Sequence, residues 1–164
     1  APIPTQRQLL AAASDGKLVY AVGGNDTKSD LATVEAYDPA AKTWTAVADL
    51  AQPRSDLSVA ITDGRLVAVG GMSAGQVLKS VAVLDLMTRT WAGLPDMETA
   101  RHGMAVDAVE KAVYAIGGST GAGDRRHHRH RATNRPAPRW RRCPGRRWRR
   151  FRSAGARSAP GPAR

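Results

Sequence analysis

The sequence predicts an all-β fold made of one four-stranded unit repeated in tandem. Three observations point there. Gly-Gly doublets fall at Gly23-Gly24, Gly70-Gly71 and Gly117-Gly118, each 47 residues from the last. Other landmarks keep the same step: Arg7, Arg54 and Arg101; Val34 and Val81; Asp38 and Asp85; Trp44 and Trp91; Leu50 and Met97. Short apolar or alternating runs bounded by Gly, Pro, Asn and Asp fill the intervals, which is the pattern of half-buried strands. A fixed period of this length is the mark of a repeat architecture.

The elements follow in a constant order. Each unit opens on Arg and a small apolar run, as in Arg101-His102-Gly103-Met104-Ala105-Val106. Asp15-Gly16 and Asp63-Gly64 then mark a hairpin turn, because a tight turn needs positive φ. A second run ends in each doublet: residues 18–22, 66–69 and 113–116. Polar loops follow at 25–30, 72–79 and 119–123. A third run covers 33–38 and 81–85. Asp38-Pro39-Ala40-Ala41 turns the chain, with Pro presetting φ. The last run centres on Trp44 or Trp91. Four short antiparallel strands in about 47 residues make one blade of a β-propeller.

The Gly-Gly doublet, the Tyr seven residues before a Trp (Tyr37 and Trp44) and the Arg that opens the next unit (Arg54) resemble kelch repeats. The resemblance covers about residues 5–123, and Leu84 replaces the Tyr in the second unit. It implies that Gly23, Gly24, Gly70, Gly71, Gly117, Gly118, Tyr37, Trp44 and Trp91 are structural landmarks, with each Trp packed between neighbouring blades. The expected organisation is a short segment at 1–6, blade 1 at 7–53, blade 2 at 54–100, half of blade 3 at 101–123 and a tail at 124–164. The fold class is thus a partial kelch-type β-propeller of about 2.5 four-stranded antiparallel blades with a disordered Arg-rich C-terminal tail. Propellers close with about four to eight blades. The chain is therefore expected to be a fragment of a longer, bacterial, propeller protein.

Charge separates the tail from the body. Residues 1–124 carry a net charge of −4, whereas residues 125–164 hold fifteen arginines, no lysine and no acid. Apolar residues are too sparse there to offset the entropy of ordering. Three readings of the tail stand open. Arginines interleaved with Trp140, Trp148 and Phe151 suit phosphate contact and base stacking in a nucleic acid. His127, His128, His130 and Cys143 offer zinc-ligating atoms, at a spacing that matches no structural zinc pattern. The third is a shift of reading frame near codon 124. With GAC, CAC and CGC codons for Asp, His and Arg, residues 124–131 read one base later encode Thr-Ala-Ala-Thr-Thr-Ala-Thr-Ala, a strand-compatible run where blade 3 needs one.

The remaining composition narrows the function. A single Cys143 excludes a disulfide framework. No apolar run is long enough for a membrane span, and no signal peptide opens the chain. The parent's compartment stays open between cytoplasm and cell surface. Catalysis finds no nucleophile elbow or phosphate loop. A kelch-like copper oxidase would require a Tyr–Cys pair and His ligands in the propeller, and the one cysteine lies in the tail, so no cofactor is expected. In repeat scaffolds function lives in the loops. The kelch resemblance implies that loops 25–30, 72–79 and 119–123 gather with the links 48–55 and 95–102 on one face. Arg54, Arg101 and His102 are the candidate binding residues. The expected role is a non-catalytic module that binds another protein, a peptide or a glycan. The alternatives are a ligand-sensing propeller of a bacterial receptor such as a serine/threonine kinase, and nucleic-acid binding through the tail.

Overall fold

The computed structural model describes residues 1–121 and two short strands further on. Blade 1 is a meander of β1 (Ala11–Ser14), β2 (Val19–Val22), β3 (Val34–Asp38) and β4 (Thr43–Ala46). Blade 2 repeats it with β5 (Ser58–Thr62), β6 (Arg65–Val69), β9 (Val81–Asp85) and β10 (Thr90–Leu94). Blade 3 holds the two inner strands, β11 (Ala105–Val109) and β12 (Ala112–Ile116). All pairings are antiparallel, and the starts of β1, β5 and β11 keep the 47-residue step. The loop after Gly70-Gly71 forms a small hairpin, β7 (Met72–Ser73) with β8 (Gln76–Val77), turned by Ala74 and Gly75 at φ of 48° and 77°. β13 (Trp140–Arg142) pairs with β14 (Trp148–Arg150), a pairing that composition alone did not anticipate. The disorder, zinc atoms and frame shift considered for residues 124–164 otherwise lie outside the described residues.

The turns show why these residues reverse the chain. Asp63 and Gly64 form a two-residue hairpin turn with both φ positive, 51° and 69°. The Asp15-Gly16 turn is longer than the sequence suggested. There Asp15 accepts hydrogen bonds from Lys17 and Leu18 N–H at 2.8 and 2.7 Å, and Tyr20 Oη donates to its other oxygen at 3.0 Å. Burial and this carboxylate push the Tyr20 phenol up to about 12. At the outer hairpins Asp38 and Asp85 play one part in both blades. Each carboxylate accepts from the second and third residues beyond it, and Lys42 and Arg89 close the turns at φ of 57° and 55°. Both outer hairpins thus turn on the same Asp side chain and end on a left-handed residue.

The core lies between blades rather than within one. Tyr20, Val22, Val34 and Ala36 of blade 1 meet Leu57, Val59, Leu66, Ala68 and Leu84 of blade 2. Ala60, Val67, Val69, Val81 and Val83 of blade 2 meet Met104 and Val113 of blade 3. Strand alternation sends successive side chains to opposite faces, so blade 2 is apolar on both. Leu50 and Met97 in the links plug the same position at the two interfaces.

Trp91 packs on the first of these cores, and its indole Nε1–H donates to Ala48 O of the preceding link at 2.7 Å. Trp44 makes the same bond to Ala1 O at 3.2 Å, and its ring sits 5.0 Å from Tyr37. Both bonds span 43 residues. The opening residues 1–7 therefore take the part that link 48–54 plays one unit later.

Candidate functional site: the loop face

In each meander the doublet loops and the links leave the sheet at the same end. Backbone bonds fix them to one another. Gln8 exchanges two N–H···O bonds with Asn25, Ser55 with Met72, and His102 with Ser119, at 2.7–3.0 Å, so the same clasp recurs in all three units. The doublets explain how closely these segments approach. A Cβ on Gly24, Gly71 or Gly118 would stand 2.7–2.8 Å from the carbonyl oxygen of Gln8, Ser55 or His102. A Cβ on Gly23 or Gly70 would stand 2.4 or 2.3 Å from the carbonyl oxygen of Arg54 or Arg101 in the next blade. Only glycine fits both demands at these left-handed φ values.

The recurring arginines serve this framework. Arg54 is 3% exposed. It donates from NH1 to Gly70 O at 3.2 Å and to Ser80 O at 3.5 Å, and from Nε to Gln52 O at 3.4 Å. Burial lowers the affinity of its guanidinium for the proton. Arg101 repeats the brace, donating to Gly117 O at 2.8 Å, and keeps part of its side chain in solvent. Arg7 departs from the pattern. Its NH2 donates to Ala21 O at 3.3 Å and forms a 2.7 Å ion pair with Glu35, which also accepts from Thr5.

His102 belongs to a different grouping. Its Nδ1 lies 2.5 Å from Asp56 Oδ2 on the neighbouring blade, and both side chains keep some solvent contact. Asp56 is itself at φ of 50°, and its equals in phase, Leu9 and Gly103, are at 54° and 59°. Asp56 N–H donates to Leu9 O and Gly103 N–H to Asp56 O, at 2.8 and 2.9 Å. These residues form a hydrogen-bonded column that runs from blade to blade.

A residue not singled out from sequence ties the loops together. Asp30 accepts from Asn25 Nδ2 at 3.0 Å within its own loop, and from Ala74 N–H at 2.8 Å in the β7–β8 hairpin of the next blade. Burial raises its carboxyl pKa, but hydrogen bonds from Ser55, Asn25 and Ala74 together outweigh that and hold it below the usual range. The signal available in sequence was an acid closing a loop whose neighbour carries Ala74-Gly75. Around this anchor the tips at 27–29 and 74–76 stand exposed. Among the described residues no group of three or more His, Cys, Asp or Glu side chains could hold a metal ion. None of their helices is long and apolar enough to cross a membrane.

A family model described as the KLHDC2/KLHL20/DRC7 Kelch-repeats domain matches residues 1–118. The chain belongs to the kelch-repeat family. It is similar to human Kelch repeat and BTB domain-containing protein 13, 48% identical over 52 residues, which is 32% of this chain and 11% of that protein. It is also similar to rat Kelch-like protein 36, 37% identical over 71 residues, covering 40% of this chain and 12% of the relative. The kelch chain described here thus aligns with only about a tenth of these relatives' length. The matched span includes residues 1–6, in keeping with their place in the repeat.

Proposed function

We propose that this chain is a non-catalytic protein-binding module that uses its loop face. The observation that carries this reading is the Asp30 anchor, which joins the loops of two blades into one braced surface with exposed polar tips. A rigid support under variable loops is the ordinary way a repeat fold presents a binding site. Arg54 serves as a brace beneath the surface. Arg101 and His102 reach solvent at its rim. Membership of the kelch family and the similarity to Kelch-like proteins support a protein ligand.

Photo-crosslinkers placed at Lys28 and Gln76 test the proposal. A discrete protein should be captured, and once purified it should bind the chain directly. Replacing residues 27–29 by Ala should weaken that binding at least tenfold. Met87→Ala, on a turn at the far end of the blade, should leave it unchanged. Equal loss from both changes would refute a loop-face site.

A second reading rests on the charge of residues 125–164. If these arginines contact phosphates, affinity for DNA or RNA should fall steeply with salt and vanish on removal of 125–164. No affinity at low salt would end it.

A further inference from the structure

The tripeptide Trp-Arg-Arg occurs twice, at 140–142 and 148–150, and each copy is a strand. β13 and β14 pair antiparallel, with Trp140 opposite Arg150, Arg141 opposite Arg149 and Arg142 opposite Trp148. The five residues between the strands include Pro144-Gly145, a turn dipeptide, and a link of that length is ordinary for a hairpin. One copy of the tripeptide meets the other reversed, so each Trp falls opposite an Arg.

Register then sorts the six residues by face. Residues two apart on a strand share a face, and so do residues directly opposite across the pair. Trp140, Arg142, Trp148 and Arg150 therefore hold one face, with Trp and Arg at alternating corners. Arg141 and Arg149 hold the other. Nothing in the segment offsets these charges. Residues 125–164 have no acid, and eight of their fifteen arginines fall between 139 and 152. Like charges directly opposite one another destabilise a strand pair, and a lone two-stranded ribbon is marginal in water. An anionic partner relieves both.

The mixed face narrows the choice of anion. A compact anion would need only the arginines. Two Trp at diagonal positions, about 7–8 Å apart between backbones, add a pair of flat apolar platforms. In a duplex the bases lie stacked at about 3.4 Å, and their faces are closed to an indole. In a single strand the faces are open, and stacking a base on an aromatic ring adds affinity without regard to sequence.

We propose that the β13–β14 ribbon is a binding site for single-stranded nucleic acid. The strand crosses the mixed face, bases stack on Trp140 and Trp148, and Arg142 and Arg150 hold neighbouring phosphates. This rests on the reading that residues 125–164 bind nucleic acid, and adds which strand state is bound and by which face. DNA and RNA share the chemistry, because no contact in it involves the 2′-hydroxyl.

Fluorescence anisotropy of the full chain with labelled oligothymidylate, oligouridylate and a blunt DNA duplex of equal length tests the site. Both single strands should bind at least about tenfold tighter than the duplex, which offers no base to stack. Trp140→Ala and Trp148→Ala should each weaken single-strand binding at least about fivefold and leave its salt dependence unchanged. Trp140→Phe and Trp148→Phe keep a ring and should keep most of the affinity. Replacing Arg142 and Arg150 together by Gln should lower the slope of log affinity against log salt by about 1.4, the value for two phosphate contacts on a single strand. Replacing Arg141 and Arg149 together by Gln removes the same charge from the other face and should change that slope less. Equal or tighter binding of the duplex, equal effects of the two arginine pairs, or Trp→Ala variants that bind like the wild type would each overturn the ribbon site and leave nucleic-acid binding by residues 125–164 standing. No binding of any of the three probes at low salt would end both.

Discussion

Blade 2 and the half-blade after it are built from the same 47-residue grammar, yet among the described residues only blade 2 has neighbours on both sides. Val69 and Ile116 are equivalent in sequence, and Ile116 is the larger hydrophobe. Val69 is buried and Ile116 is mostly in solvent. Burial here is set by the next repeat, not by the residue. The doublets teach the same lesson, because Gly70 is confined by Arg101 O and Gly117 is not. In such a quasi-one-dimensional fold, stability is largely a sum of interface terms between neighbours.

Substitutions at equivalent positions sharpen that comparison. The largest effect is expected at the doublets. Gly70→Ala forces a methyl against a backbone oxygen and keeps an unfavourable φ, and should cost about 3 kcal/mol or more by denaturant unfolding. Gly117→Ala bears only the left-handed backbone cost, about 1 kcal/mol. Equal losses would break the comparison. Next come the apolar pair. Val69→Ala should cost about 2 kcal/mol, and Ile116→Ala less than about 0.5 kcal/mol.

Smaller effects concern the polar braces. Trp91→Phe removes the bond to Ala48 O and should cost about 1 kcal/mol, with Trp44→Phe costing less because its partner is the exposed first residue. Asp30 gives the smallest and most specific effect. Its folded pKa lies below the ordinary 3.8. Its contribution is therefore complete above that value and is lost as pH falls through 3.8 towards the folded pKa. Asp30→Asn should remove that part of the acid dependence, seen as a flatter plot of unfolding midpoint against pH between about 5 and 2.

Much of this fold was legible in the sequence, because its period is exact and its turn chemistry is local. Three doublets in register placed the strands, and Asp63-Gly64 and Asp38-Pro39 placed two hairpins. The loop-face contacts were harder to read. The left-handed column is Leu9, Asp56 and Gly103, three residue types with nothing in common but phase. Arg54 and Arg101 carry one signal in sequence but differ in exposure. Residues 1–6 were read as a segment outside the repeat, because Pro2 and Pro4 have no counterparts in phase in link 48–54. The structure puts them in the link's place through a backbone carbonyl, Ala1 O, which no side-chain motif reveals. The Asp30 anchor depends on a backbone N–H across two blades, which is equally silent in sequence.

The claim that the neighbouring blade, and not the residue, fixes the order of each repeat is tested most directly by hydrogen exchange. In dilute solution, amides of β6 should be protected close to the level of global unfolding, while those of β12 should exchange at least a hundredfold faster. Equal protection of β6 and β12 would contradict the account.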